Sequence, residues 1–175
     1  MNKEKLLKYI PDCYYENILK IDYQKLKKEN IKCLLFDVDN TIVPYNISKI
    51  KEELKELFQI ITKEFKVYLV SNNIAKKRVS KIAATFSVSY TYFARKPSPQ
   101  AFIKFTKDFA KDEVVIIGDQ LLSDIYGGNN FGIKTILVDP IAKDSIFTYF
   151  NRLYEKKIFK ELKRQNLFEK GKYYD

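Results

Sequence analysis

"LLFDVDNTIVPY", residues 34–45, is the stretch on which the reading of this chain turns. An apolar run of the kind that forms a fully buried strand, Cys33 to Phe36, leads directly into Asp37 and Asp39. Asn40, Thr41 and, three residues on, Pro44 then close the segment. Two carboxylates so close together repel one another, and solubility alone does not require them there. They make sense if a divalent cation and a basic side chain offset the repulsion.

Four further apolar runs follow: "KVYLV" at 66–70, "SYTYF" at 89–93, "EVVIIG" at 113–118 and "IKTILV" at 133–138. Helical spacing separates them. Ile50, Leu54, Leu57, Phe58 and Ile61 recur at threes and fours; Ile74, Arg78, Val79 and Ile82 do so less cleanly. Ala101, Phe102, Phe105 and Phe109 form a third stripe, with Pro99 suited to a first helical turn. Strands alternating with helices predict an α/β fold: a Rossmann-like parallel five-stranded sheet with helices on both faces. The catalytic core is expected at about 32–140, within a single domain spanning 1–175. An N-terminal extension over 1–31 and an amphipathic helix over about 144–168 add terminal helices.

In such a sheet, ligands bind beyond the carboxyl ends of the strands. The residues placed there are Asp37, Asp39 and Thr41 after the first run, Ser71 and Asn72 after the second, Lys96 near the third, and Asp119 and Asp124 after the fourth. Three or more carboxylates, a hydroxyl-amide pair and a lysine at one edge describe a reaction site. The chain has no histidine, so acid-base work falls to carboxylates, Lys, Tyr or Cys. An EF-hand reading of "DVDNT" fails, because Ile42 occupies the position of the loop glycine and Ser48 that of its glutamate. "GGNNFG" at 127–132 matches neither nucleotide fingerprint and reads as helix termination and a turn.

Bulk composition narrows the rest. The chain has 175 residues, and its 46% hydrophobic content supports a sizeable core. Two cysteines, Cys13 and Cys33, are too few and too far apart for a disulfide framework, which suits a reducing compartment. Without a signal pattern or a long apolar run, a cytoplasmic protein is expected. The net charge of +10 fits an anionic partner or simply solvated lysines, and both readings stay open. In the C-terminal segment, Ile146, Phe147, Phe150, Leu153, Tyr154, Ile158 and Leu162 recur at helical spacing opposite Arg152, Lys156, Lys160 and Lys163. That helix either packs on the sheet or lies on an anionic bilayer.

The order DxDxT (37–41), Ser71-Asn72, Lys96-Pro97 and GDxxxxD (118–124) resembles the four motifs of the haloacid dehalogenase (HAD) superfamily. The resemblance implies a phosphatase in which Asp37 is the nucleophile and Asp39 the general acid and base. It implies Ser71, Asn72, Thr41 and Lys96 around the phosphate, with Lys96 also paired to Asp37. Mg²⁺ would be held by Asp37, the Asp39 carbonyl, Asp119 and, directly or through water, Asp124. The backbone is expected to bend after Asp37 to bring both acids to one phosphate. Only 29 residues run from Ile42 to Val70 and 24 from Asn72 to Arg95, too few for a cap domain. A flap at 42–48, with Tyr45 and Asn46, is expected beside the leaving group.

"IPDCYYENILKIDYQKLKKENIKCLLFDVDNTIVPYN", "SNN", "RKPSP", "IGDQLLSDIYGGNNFGIKTILVDPI" and "NRLYEKKI" together resemble the bacterial YqeG family, capless HAD subfamily IIIA. That resemblance implies a phosphomonoester substrate borne on an anionic phospholipid, phosphatidylglycerophosphate, and peripheral contact with the inner face of the membrane. A soluble phosphoester substrate and a nucleic-acid-binding protein with a vestigial site are the competing readings. No RNA-binding motif favours the latter.

Overall fold

The computed structural model describes residues 2–142 and 149–175. Six strands run parallel in the order β1-β6-β5-β2-β3-β4: β1 Cys13–Tyr15, β2 Cys33–Phe36, β3 Lys66–Val70, β4 Ser89–Thr91, β5 Val114–Gly118 and β6 Lys134–Val138. The helices are α1 Lys3–Leu7, α2 Tyr23–Lys28, α3 Glu52–Glu64, α4 Lys76–Phe86, α5 Gln100–Thr106, α6 Gly127–Phe131 and α7 Tyr149–Arg164. A π-helical turn, Leu121–Tyr126, runs directly into α6.

Period-two alternation in the strands sorts the core into two layers. Leu34 and Phe36, with Val115 and Ile117, face a cluster containing Leu26 of α2, Phe58 and Ile61 of α3, and Val79 and Ile82 of α4. Cys33, Leu35, Val114 and Ile116 face the other way, onto Ala101, Phe102 and Phe105 of α5. Both faces being covered explains why these strands read as continuous apolar runs. No cap is present among the described residues: α3 alone links β2 to β3, and α4 alone links β3 to β4.

The five-strand expectation is corrected to six. β1 comes from the segment read as an N-terminal extension; it pairs Cys13 with Ile136 and Tyr15 with Val138. Three residues carry too little periodicity to announce a strand. The far end of the chain closes on the same edge, where Tyr14 and Tyr174 exchange backbone hydrogen bonds of 2.7 and 2.9 Å. "GGNNFG" is also corrected in part. Gly127 and Gly128 lie inside α6, and a Cβ on Gly128 would stand 2.5 Å from Ile116 Cγ2. Only Gly132, with φ +85°, ends the helix.

The C-terminal helix packs back on the sheet through Ile158 and Leu162, which join Leu6, Tyr14, Leu121 and Ile125 in a third cluster. Its inward face differs from the expected stripe. Leu153 and Tyr154 are exposed, whereas Glu155 is buried. Ile146 and Phe147, and the predicted helical residues 144–148, lie outside the described residues, as does the side chain of Phe150. No helix among the described residues is long and apolar enough to cross a membrane.

Candidate active site

The sheet order reverses at β2, whose neighbours are β5 on one side and β3 on the other. Residues leaving these strands meet at that switch point. β2 stops at Phe36, and the amides of Ile42 and Val43 fold back to donate to the Val38 carbonyl at 3.0 and 3.2 Å. Asn40 takes φ +64° in this turn. The expected bend after Asp37 is therefore present.

Asp37, Asp119 and Asp124 converge. Each offers one carboxylate oxygen to a group whose members all lie within 4.8 Å of one another. Lys96 Nζ, fully buried, donates to Asp37 Oδ1 at 2.8 Å and to Asp124 Oδ1 at 2.7 Å. The Thr41 hydroxyl stands 3.2 Å from Asp37 Oδ2 and 3.4 Å from Asp119 Oδ1. Gly118 is what lets Asp124 in: a Cβ there would sit 2.3 Å from the Asp124 carboxyl carbon. The Gln120 amide then donates to Asp124 Oδ2 at 3.2 Å.

Asp39 faces a different set of groups. Its Oδ2 accepts from Asn73 Nδ2 at 3.0 Å and lies 3.4 Å from Ser71 Oγ, while Arg78 pairs with Oδ1 at 2.6 Å. Arg78 also donates to the carbonyls of Pro44 and Ile47, both at 3.0 Å, tying the flap to α4. The Asp39 carboxylate is not in the three-carboxylate group. Asn72 has a third task. Its side-chain amide donates to the Lys96 carbonyl at 3.0 Å and accepts from the Lys96 N–H at 2.8 Å, holding the loop that aims Lys96. In the flap, Tyr45 is half-buried and Asn46 exposed.

Burial sets the electrostatics. It pushes Asp37 up to about 7 although Lys96 pulls the other way. It also raises Asp119 well above the usual carboxylate range, against the pull of Arg152. Burial disfavours the charge on Lys96, but Asp124 and Asp37 more than offset it, so the ammonium is held firmly protonated.

Arg152, which the sequence places on the basic side of the C-terminal stripe, and Glu155, which no sequence pattern singles out, are also residues of this site. Arg152 pairs with the Asp119 carboxylate and donates to the Asp119 carbonyl at 2.9 Å and to Glu155 at 2.9 Å. Glu155 in turn accepts from the Leu122 amide at 2.9 Å. Residues 152, 155, 158 and 162 share one helical face, so the charged pair and the apolar anchors point inward together. Arg78 was likewise read as part of an apolar stripe. The extra hint in the sequence was its presence there at all, because arginine on a buried face implies a paired carboxylate.

Four buried carboxylates, Asp37, Asp119, Asp124 and Glu155, against Lys96 and Arg152 leave two formal negative charges. All the donors are hard oxygens, which fits Mg²⁺ or a similar divalent cation better than a soft metal.

Comparison with known proteins gives the same picture. The family model Hydrolase_like, for HAD-hydrolase-like proteins, matches residues 93–140. The Bacillus subtilis protein named "Probable phosphatase YqeG" is 38% identical over 161 residues, covering 90% of this chain and 93% of that one. The Arabidopsis thaliana phosphatidylglycerophosphate phosphatase 1 is 22% identical over 77% of this chain and 42% of its own length. Among solved structures, the magnesium-bound HAD-hydrolase YfnB from Bacillus subtilis superposes with a TM-score of 0.51 at 16% identity, covering 66% of this chain and 90% of that one. A subfamily III A HAD hydrolase from Legionella pneumophila gives 0.50 at 18% identity, over 67% and 70% of the two chains. A parallel sheet with helices on both faces and a near full-length match to a named phosphatase lead to one conclusion. The chain belongs to the YqeG family of HAD-superfamily phosphatases.

Proposed function

We propose that this phosphatase hydrolyses a lipid-borne phosphomonoester, phosphatidylglycerophosphate, through an aspartyl-phosphate on Asp37, with Mg²⁺ as its cofactor. The observation that carries the catalytic part is the Asp37–Lys96–Asp124 bridge at 2.8 and 2.7 Å, which fixes a buried carboxylate at the end of β2. An oxygen of Asp37 attacks phosphorus as the bond to the leaving oxygen breaks. Asp39 gives its proton to the departing alkoxide. The resulting Asp39 carboxylate then takes a proton from water, whose oxygen attacks phosphorus and releases inorganic phosphate and free Asp37.

Each neighbouring residue has a role in these steps. Asn73 and Arg78 hold the Asp39 carboxylate in place. Ser71 and Lys96 donate to phosphoryl oxygens, Thr41 orients Asp37, and Asn72 acts through the Lys96 loop that it pins. A divalent cation held by Asp37, Asp119 and Asp124, with the Asp39 carbonyl, would screen the anionic nucleophile from the anionic phosphate.

The lipid part is supported by the plant relative's name, by the lack of a cap among the described residues and by the basic outer face of α7. There Lys156, Lys157 and Lys160 are exposed beside exposed Leu153 and Tyr154, a composition suited to an anionic membrane surface. The carboxylates lie at the carboxyl ends of the strands, the sheet edge to which a headgroup held at a cytoplasmic membrane face would have to come.

Phosphate release from phosphatidylglycerophosphate in mixed micelles, with and without Mg²⁺, tests the reading beside a panel of soluble phosphomonoesters. Turnover of the lipid well above the panel, abolished by Asp37→Asn, is the expected result. Turnover of soluble esters alone overturns the lipid assignment and leaves the catalytic one standing.

A further inference from the structure

A cavity of about 700 Å³ lies at the same sheet edge, on the α3 side, with Thr41 as the residue it shares with the catalytic group. Thr41 lines this cavity while its hydroxyl touches Asp37 and Asp119. Its apolar wall includes Ile18, Leu19, Ile42, Val43, Ile50 and Leu54. Ile18, Ile42 and Val43 are almost fully buried and Ile50 and Leu54 nearly so, while Leu19 is 40% exposed. The walls come from the connection after β1, the flap, the start of α3 and the loop after β6. A volume of this size, mostly apolar and joined to a few polar groups, is what a ligand pocket requires.

We propose that this cavity is the tail site of the enzyme: it receives the apolar part of an amphiphilic phosphomonoester whose phosphate is held at Asp37. The inference rests on the phosphatase reading of the site and adds which part of the molecule binds where. Thr41 marks the junction. On one side of it lie the carboxylates and Lys96; on the other lies a wall that is mostly aliphatic, with charged and polar side chains such as Lys49, Lys51, Glu53 and Asp139 also lining the cavity. Burial of methylenes against this wall contributes to affinity in proportion to the area removed from water. With no cap among the described residues, the flap and the segment after β1 then perform the selection that a cap provides elsewhere.

A series of monoalkyl phosphates from ethyl to decyl, each below its micelle-forming concentration, tests this directly. kcat/KM should rise by about threefold per added methylene until the cavity is filled. Leu19→Asp, at a half-exposed wall position, and Ile50→Trp, which fills the space, should flatten that slope and leave ethyl phosphate turnover within about twofold of the parent. A flat series on an enzyme active toward ethyl phosphate overturns the tail site, as does a slope that both variants leave intact. Calorimetric binding of decyl and ethyl phosphate to the Asp37→Asn protein separates this question from catalysis. Decyl phosphate should bind more than 100-fold tighter than ethyl phosphate, an advantage lost in Leu19→Asp. Equal binding of the two sinks the tail site, whereas absent turnover of every ester with that preference intact sinks only the phosphatase reading.

Discussion

Of the cations that serve the carboxylates of this site, Lys96 and Arg152 arrive by different routes. Lys96 comes from a loop just beyond β4, is fully buried and bridges Asp37 to Asp124. Arg152 comes from α7, near the other end of the chain, is partly exposed and pairs with Asp119. Lys96 is locked by Asn72, itself next to a strand end, so the lock belongs to the motif layout. Arg152 is locked by Glu155 and the Leu122 amide, so its position depends on how a whole helix packs. A cation buried inside the motif set holds Asp37, and a cation delivered by tertiary packing holds Asp119.

The contrast predicts a ranking of effects. Asp37→Asn sets the upper limit: turnover should fall by on the order of 10⁴ or more, with the melting temperature unchanged or higher because one buried charge is removed. Steady-state assay and a thermal melt check both halves. Lys96→Met should come next, costing about 3–5 kcal/mol of stability because it strands two buried carboxylates. Urea unfolding measures this, and adding Asp37→Asn to Lys96→Met should recover part of the loss. Arg152→Ala should cost much less stability but weaken divalent-cation affinity by about 10–100-fold, with Arg152→Lys restoring only a fraction because a single ammonium cannot reach both acceptors. Titration calorimetry with Mg²⁺ reads it. If Arg152→Ala destabilises the fold as much as Lys96→Met, the two cations are equivalent and the comparison breaks.

A smaller effect comes from pH. Asp37 is pushed up to about 7 and Asp119 is raised, both by burial, so between the unfolded carboxylate range and these values the native state binds more protons than the unfolded chain. Stability of the metal-free protein should therefore be highest at low pH within that window and decline as pH rises toward 7. Ionised carboxylates are also what a divalent cation at this site would need, so under the proposed function Mg²⁺ should raise the melting temperature more at pH 7.5 than at pH 5. Melts at both values, with and without Mg²⁺, sharpen the assignment of these carboxylates to the metal. The smallest effect concerns the thiols. Cys33 is fully buried and its thiol is pushed up to about 12, and Cys13 is buried and raised, so neither should react with a thiol reagent until the chain unfolds.

The exposed and buried positions of α7 explain where sequence reading stopped short. A stripe at threes and fours fixes that a helix exists and roughly where it lies. It does not fix the rotation, and Leu153 and Tyr154 end up exposed while Glu155 turns inward. Once a carboxylate at the sheet edge needs a cation, placing Arg152 on it outweighs covering two more apolar side chains. β1 was missed for another reason, since three residues give no pattern until β6 exists to receive them.

By itself the sequence determined the parallel α/β arrangement, because buried strands must read as apolar runs and helices between them must carry a 3.6-residue stripe. It also determined the meeting of Asp37, Ser71, Lys96, Asp119 and Asp124, because each lies within a few residues of a strand end and parallel strands deliver their ends to one edge. Only the tertiary structure decided that Asn73 and Arg78 hold Asp39, that Arg152 and Glu155 brace Asp119, and that the flap, α3 and the segment after β1 enclose an apolar cavity beside Thr41. Those pairings join residues far apart in the chain, through helix rotation and loop packing that local periodicity does not encode.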